Sequence, residues 1–173
     1  DSQLLAHVQD SLARHQLPAR QLILAISEST VMRNTPATIA LLNSLSAVGV
    51  GMAIDDFGAG HASLLNLKQL PATEIKLGTD FIQELEPGSN AITILAALIA
   101  LGHGLDMAVI ADGITTREQR QRLERMGCDY LQGHLLGVAV APARFEQLHA
   151  PRRLRSAEAG VAARSQPLPP ATP

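Results

Sequence analysis

The 173 residues suffice for one domain of ordinary size, and 46% hydrophobic against 17% charged residues calls for a packed core rather than a disordered chain. A formal net charge of -2 offers no basic surplus for nucleic acid, and no stretch reaches the roughly 18 unbroken apolar residues of a membrane span. One cysteine, Cys128, excludes an internal disulfide or a cysteine metal site and fits a reducing, cytoplasmic compartment.

Aromatic residues make up only 2%, so the core has to come from Leu, Ile, Val and Ala. The sequence starts at Asp1 with neither a signal-peptide pattern nor an initiator Met, which points to a piece of something longer. Residues 2–15 carry Leu4, Leu5, Val8 and Leu12 at helical spacing and stop before Leu17-Pro18. QLILAIS, residues 21–27, is a nearly continuous apolar run and reads as a strand buried on both faces. Residues 36–47 are amphipathic, with Pro36 at the start and Gly49 past the end, the asymmetry of a helix. VGMAID (50–55) reads as a strand, 62–70 as a helix, ATEIKL (72–77) as a strand and 88–103 as the longest helical pattern. MAVIAD (107–112) is a further strand, 116–126 a charged amphipathic helix with Leu123 and Met126 inward, and DYLQG (129–133) a last short strand. The Pro/Ala/Arg-rich tail is expected to be unstructured, giving one domain over 1–149 and a tail over 150–173.

Strands alternating with helices imply parallel βα units, which either an open doubly wound sheet or a barrel segment satisfies. The polar residues favour the barrel. Ser27-Glu28-Ser29, Asp55-Asp56, Lys76, Asp112 and Gln132 each fall at or just after the C-terminal end of a strand. An α/β barrel draws its site from that rim. Asp55 and Asp56 raise the sharpest question, because adjacent carboxylates at a strand end need a positive partner. Hard divalent cations take carboxylate oxygens, and a pair of metals can clamp both oxygens of a phosphodiester displacement. Capping of the following helix is the plainer role for such a pair. The six histidines show no metal-ligand spacing, and the glycines of AGHAS lack the Lys and spacing of a phosphate loop.

AISES, AIDDFGAGHASL, EIKLGTDFI, VIADGITT and GCDYLQGHLLG, in this order and spacing, resemble the EAL-type cyclic di-GMP phosphodiesterase domain from about Leu12 to Leu148. The resemblance implies an α/β fold: a partial TIM-like barrel of about five parallel strands with flanking helices, the later five of eight. It implies hydrolysis of the bacterial second messenger cyclic di-GMP to linear pGpG with two Mg²⁺ or Mn²⁺ ions. By position, Asp55 and Asp56 match the family's metal-holding aspartates. Lys76 and Asp112 match catalytic-site residues, and Gln132, Glu28 and Asp55 stand on the ligand side. Glu28 matches a glutamate that steadies the Asp-Asp loop. Several positions depart from the pattern. A metal-ligand Glu is replaced by Ala25, an Asp by Gly78, a Glu by the shorter Asp112, a second Glu by Thr115, and a basic residue with Pro by Val138-Ala139. The Glu-Ala-Leu signature and a metal-binding Asn are not in this sequence.

Three readings follow. The first is a degenerate, non-catalytic EAL-type module that binds the nucleotide or regulates through conformation, with metal weak or absent. The second is an active phosphodiesterase completed by an upstream segment. The third is a protein-interaction module that binds no nucleotide. The expected partners are cyclic di-GMP and other signalling domains or a second copy, with no nucleic acid and no transmembrane segment.

Overall fold

The computed structural model describes residues 3–32, 35–58, 67–85 and 89–149. The chain divides into two units, Asp1–Val138 and Ala139–Pro173. In the first, the elements run α1 (Leu4–His15), a 3₁₀ turn (Ala19–Gln21), β1 (Ile23–Ser27), α2 (Glu28–Met32), α3 (Pro36–Ala47) and β2 (Gly51–Phe57). They continue with β3 (Glu74–Leu77), α4 (Thr79–Gln83), α5 (Asn90–Gly104), β4 (Ala108–Ala111), α6 (Arg117–Arg125) and β5 (Tyr130–Leu131). The described part of the second unit holds α7 (Pro142–His149). The helix expected at 62–70 lies mostly outside the described residues, as does the tail from Ala150.

The five strands form one parallel sheet in the order β1-β2-β3-β4-β5. Sequential order, with the right-handed crossovers that parallel strands favour, sends the described connecting helices to the same face, which is barrel logic and not the two-sided cover of a doubly wound sheet. Burial agrees. Met52, Ile54, Ile75, Leu77, Val109 and Ala111 pack from the sheet against Leu42, Leu95, Ile99 and Leu123 of the helices. The alternate residues Ala25, Ser27, Asp55, Glu74, Lys76 and Ile110 look the other way.

Local signals set the helix ends. Thr35 caps α3 by accepting from Thr38 N at 3.2 Å, Pro36 occupies its first turn, and Gly49 turns away at φ +95°. Gly102 lets α5 close onto β4, since a Cβ there would stand 2.4 Å from Val109 Cγ2. A satellite cluster of Val8, Leu45 and Val50, joined by Leu5, Leu12 and Leu24, seats α1 beside α3.

One expectation is corrected. QLILAIS is not buried on both faces: Leu24 and Ile26 pack against helices, but Ile23 is 46% exposed and Ala25 is exposed. β1 is an edge strand, and no described layer covers its second face. The short helices α2, α4 and α7 were not anticipated.

Candidate ligand site at the carboxyl ends of the strands

The rim forms because register brings polar strand ends level. Ser27 pairs in register with Asp55, and Leu77, next to Lys76, pairs with Ala111, next to Asp112. Lys76 is the centre. Its Nζ lies 3.1 Å from Asp55 Oδ1 and 3.4 Å from Asp112 Oδ2, with the lysine side chain 16% exposed. Partial burial pulls the Lys76 ammonium down, but its contacts with Asp55 and Asp112 outweigh that and hold it above the usual lysine range.

The two acids are also held by backbone. Asp112 Oδ1 accepts from Gly113 N at 2.7 Å, and Asp55 Oδ1 accepts from Asp56 N at 3.1 Å. Asp56 itself adopts the left-handed conformation, φ +55°, where the β2–β3 register slips between Ile54 and Phe57. Asp56 is exposed and lines a hollow of about 540 Å³ with Gly58, Gly78, Thr79, Asp80, Phe81 and Glu84. So the adjacent acids part company: Asp55 turns to Lys76, and Asp56 faces the hollow.

Glu28, the first residue of α2, is 4% exposed. Its Oε2 accepts from Gly58 N at 2.8 Å, while Oε1 is buried with no hydrogen-bond partner. Gly58 sits at φ +94°, and a Cβ there would stand 2.7 Å from Phe81. Glu28 thereby pins the turn that follows Asp55-Asp56 to the end of β1. Gln132 is exposed just past β5; its backbone N donates to Ala111 O and its O accepts from Ile114 N. Ser27 Oγ is turned to Ser29 Oγ and Thr30 Oγ1, at 3.1 and 3.0 Å, rather than to Asp55. Glu74 shares the open face of the sheet, and burial pushes its carboxyl up.

Sequence reasoning passed over Gln119. Its Oε1 accepts from Thr115 N, Thr115 Oγ1 and Thr116 N, and its Nε2 donates to Ile82 O at 3.0 Å. It therefore shapes the loop after Asp112 and ties it to α4. The Thr116-x-x-Gln119 capping box was the available signal. Thr115, where the resemblance implies a Glu, is engaged in this loop. Cys128 is a small, partly buried residue, and burial pushes its thiol up to about 11, which disfavours a reactive thiolate. His61 lies outside the described residues, and His134 is exposed.

A divalent cation needs several oxygens converging on one point. Among the described residues no group of three or more His, Cys, Asp or Glu side chains does so. Ala25, in register with Ala53 beside the rim, presents a methyl group where the resemblance implies a carboxylate. Among the described residues the rim offers fewer converging oxygens than a pair of divalent ions takes.

A family model described as "EAL domain" matches residues 1–139. The bifunctional diguanylate cyclase/cyclic di-GMP phosphodiesterase MucR of Pseudomonas aeruginosa is 46% identical over 145 residues, which cover 84% of this chain but only 21% of that protein. A solved structure of the MucR phosphodiesterase in complex with cyclic di-GMP superposes with a TM-score of 0.78 at 44% identity, covering 83% of this chain and 58% of that one. BlrP1 of Klebsiella pneumoniae, solved with manganese and cyclic di-GMP, superposes with a TM-score of 0.71 at 27% identity, covering 76% of this chain and 33% of that one. The chain thus spans about a fifth of the length of its curated relative MucR. The matched blocks run through the strand-end rim and the helices behind it, and the chain belongs to the EAL domain family.

Proposed function

We propose that this chain is a module of cyclic di-GMP signalling that binds the nucleotide at the strand-end rim without hydrolysing it. The observation that carries the reading is Ala25, which offers a methyl group where the resemblance implies a metal-ligand Glu, although phosphodiester hydrolysis needs divalent cations to stabilise attacking and leaving oxygens. Gly78 removes a further oxygen donor from the implied pattern, and Asp112 reaches one methylene less than Glu. A misplacement of that size costs on the order of 10²-fold in rate.

What remains suits binding. Lys76 offers a cation to a phosphate, the exposed Gln132 amide can pair with a base edge, and Glu28 holds the Asp55-Asp56 turn in place. The MucR complex with cyclic di-GMP supports that ligand class. The competing reading is hydrolysis to pGpG when an upstream segment completes the metal shell, and it is favoured by the phosphodiesterase named in MucR. The open edge and inner face of β1, with Ile23 exposed, suit either further strands or a second copy.

Incubation of the chain with cyclic di-GMP and excess Mn²⁺ or Mg²⁺, followed by chromatography, tests the reading. Intact nucleotide is expected. Turnover to pGpG that follows the protein through purification and vanishes in Asp55→Asn would overturn it.

A further inference from the structure

We propose that Gln119 is a positioning residue of the rim: by fastening the loop after Asp112 to α4, it sets the spacing between the Lys76–Asp112 pair and Gln132 at which the nucleotide is held. The proposal rests on the reading of the rim as a nucleotide site.

Gln119 is half-buried at the third position of α6, and a helix cap explains only part of its bonding. The cap needs the bond from Thr116 N to Gln119 Oε1, 3.0 Å, and the return bond from Gln119 N to Thr116 Oγ1, 3.1 Å. Three further bonds lie outside the cap. Oε1 also accepts from Thr115 N at 2.9 Å and Thr115 Oγ1 at 3.2 Å, and Nε2 donates to Ile82 O at 3.0 Å. Backbone N–H groups at one end and a backbone carbonyl at the other leave the amide a single orientation.

The loop so held, residues 112–116, meets both groups assigned to the ligand. At its start Asp112 Oδ2 lies 3.4 Å from Lys76 Nζ, while Oδ1 accepts from Gly113 N at 2.7 Å. Gly113 runs at φ +90° against Thr79, the first residue of α4, where a Cβ would stand 2.5 Å from Thr79 Cγ2. The next residue, the buried Ile114, donates its N–H to Gln132 O at 3.0 Å. A shift of this loop therefore moves the Lys76 and Gln132 ends of the site relative to one another, and the Gln119 Nε2 bond holds the loop against α4.

The test compares Gln119→Glu, Gln119→Met and Leu123→Val with the wild-type chain. Calorimetric titration with cyclic di-GMP in EDTA reads affinity, and the Gly113 N–H resonance in NMR spectra of the free chains reads the loop. Glu serves as well as Gln at the third position of a capped helix, yet it has no donor for Ile82 O. Gln119→Glu and Gln119→Met are each expected to weaken binding by about tenfold, the equivalent of one charge-assisted contact, and to move the Gly113 resonance. Leu123→Val thins the core under the same helix and is expected to stay within about twofold of wild type, with Gly113 in place. Gln119→Glu as tight as wild type would reduce Gln119 to a cap and overturn the proposal. An equal loss in Leu123→Val would overturn it too, because helix stability would then account for the effect. So would a Gln119→Glu chain that fails to fold, since a positioning role leaves the fold intact. A wild-type chain without affinity for cyclic di-GMP removes the reading of the site instead. The Gly113 resonance then decides this proposal: moved in both Gln119 variants and not in Leu123→Val it stands, and otherwise it falls.

Discussion

Glu28 is the side chain on which the turn after Asp55-Asp56 depends, and its replacement separates two roles. Its Oε2 accepts from Gly58 N at 2.8 Å in a half-buried setting, while Oε1 is buried without a partner. A hydrogen bond to a charged group contributes about 1.5–3 kcal/mol. Glu28→Ala removes that bond, leaves Gly58 N–H unpaired and opens a small void beside β2. Relief of the unpartnered Oε1 offsets part of the loss. The net cost is about 2–3 kcal/mol, or a melting temperature lower by about 5–10 °C for a domain of this size. Glu28→Gln keeps an oxygen acceptor for Gly58 and gives up only the charge, so its cost is about 1 kcal/mol or less. Urea denaturation with matched m-values reads both. An alanine variant within about 0.5 kcal/mol of wild type, or a glutamine variant as damaging as alanine, would refute the idea that this one bond pins the turn.

Three further outcomes follow from other positions. Burial raises the carboxyl of Glu74, so its ionised form is a burden above the folded-state pKa that fades as pH falls toward the unfolded value; Glu74→Gln should stabilise the chain at pH 7 by up to about 0.5 kcal/mol and make no difference below about pH 4. Asp129 is held below the usual carboxylate range chiefly by the Val109 N–H, against slight burial and with help from His103. That contribution is present above the unfolded pKa and lost as pH falls through the folded one; because the Asp129 side chain is 38% exposed, solvent screening holds the cost of Asp129→Asn at pH 7 to about 0.5 kcal/mol or less, with the gap to wild type closing below about pH 4 in acid melts. At Gly133, φ +151°, a Cβ would lie 2.3 Å from both Ile114 N and Ile114 O; Gly133→Ala should cost about 3 kcal/mol in urea titrations.

What the sequence made legible follows from what is local. Parallel strands read as apolar runs, and Pro36 with Gly49 marked the bounds of α3 to the residue. Leu123 faces inward with no exposure, as the spacing in its charged helix implied. The double burial of QLILAIS failed because an apolar run cannot say whether a second layer exists beside it; Ile23 and Ala25 show that none of the described residues supplies one. α4, five residues long, is too short to show a helical period. At the site, strand ends predicted the rim but not its bonds. The bridge from Lys76 to both Asp55 and Asp112 depends on register between three strands. The turning of Asp56 into the hollow depends on a single left-handed residue, which no periodicity reports.

The most direct measurement is calorimetric titration of the chain with cyclic di-GMP, in EDTA and again in excess Mn²⁺, with the nucleotide recovered and analysed after each run. The account predicts saturable binding in both, affinities within about threefold of each other because no metal bridges protein and phosphate, and intact nucleotide in each recovered sample. Binding that appears only with Mn²⁺, or pGpG in the sample recovered from the Mn²⁺ titration, would contradict it.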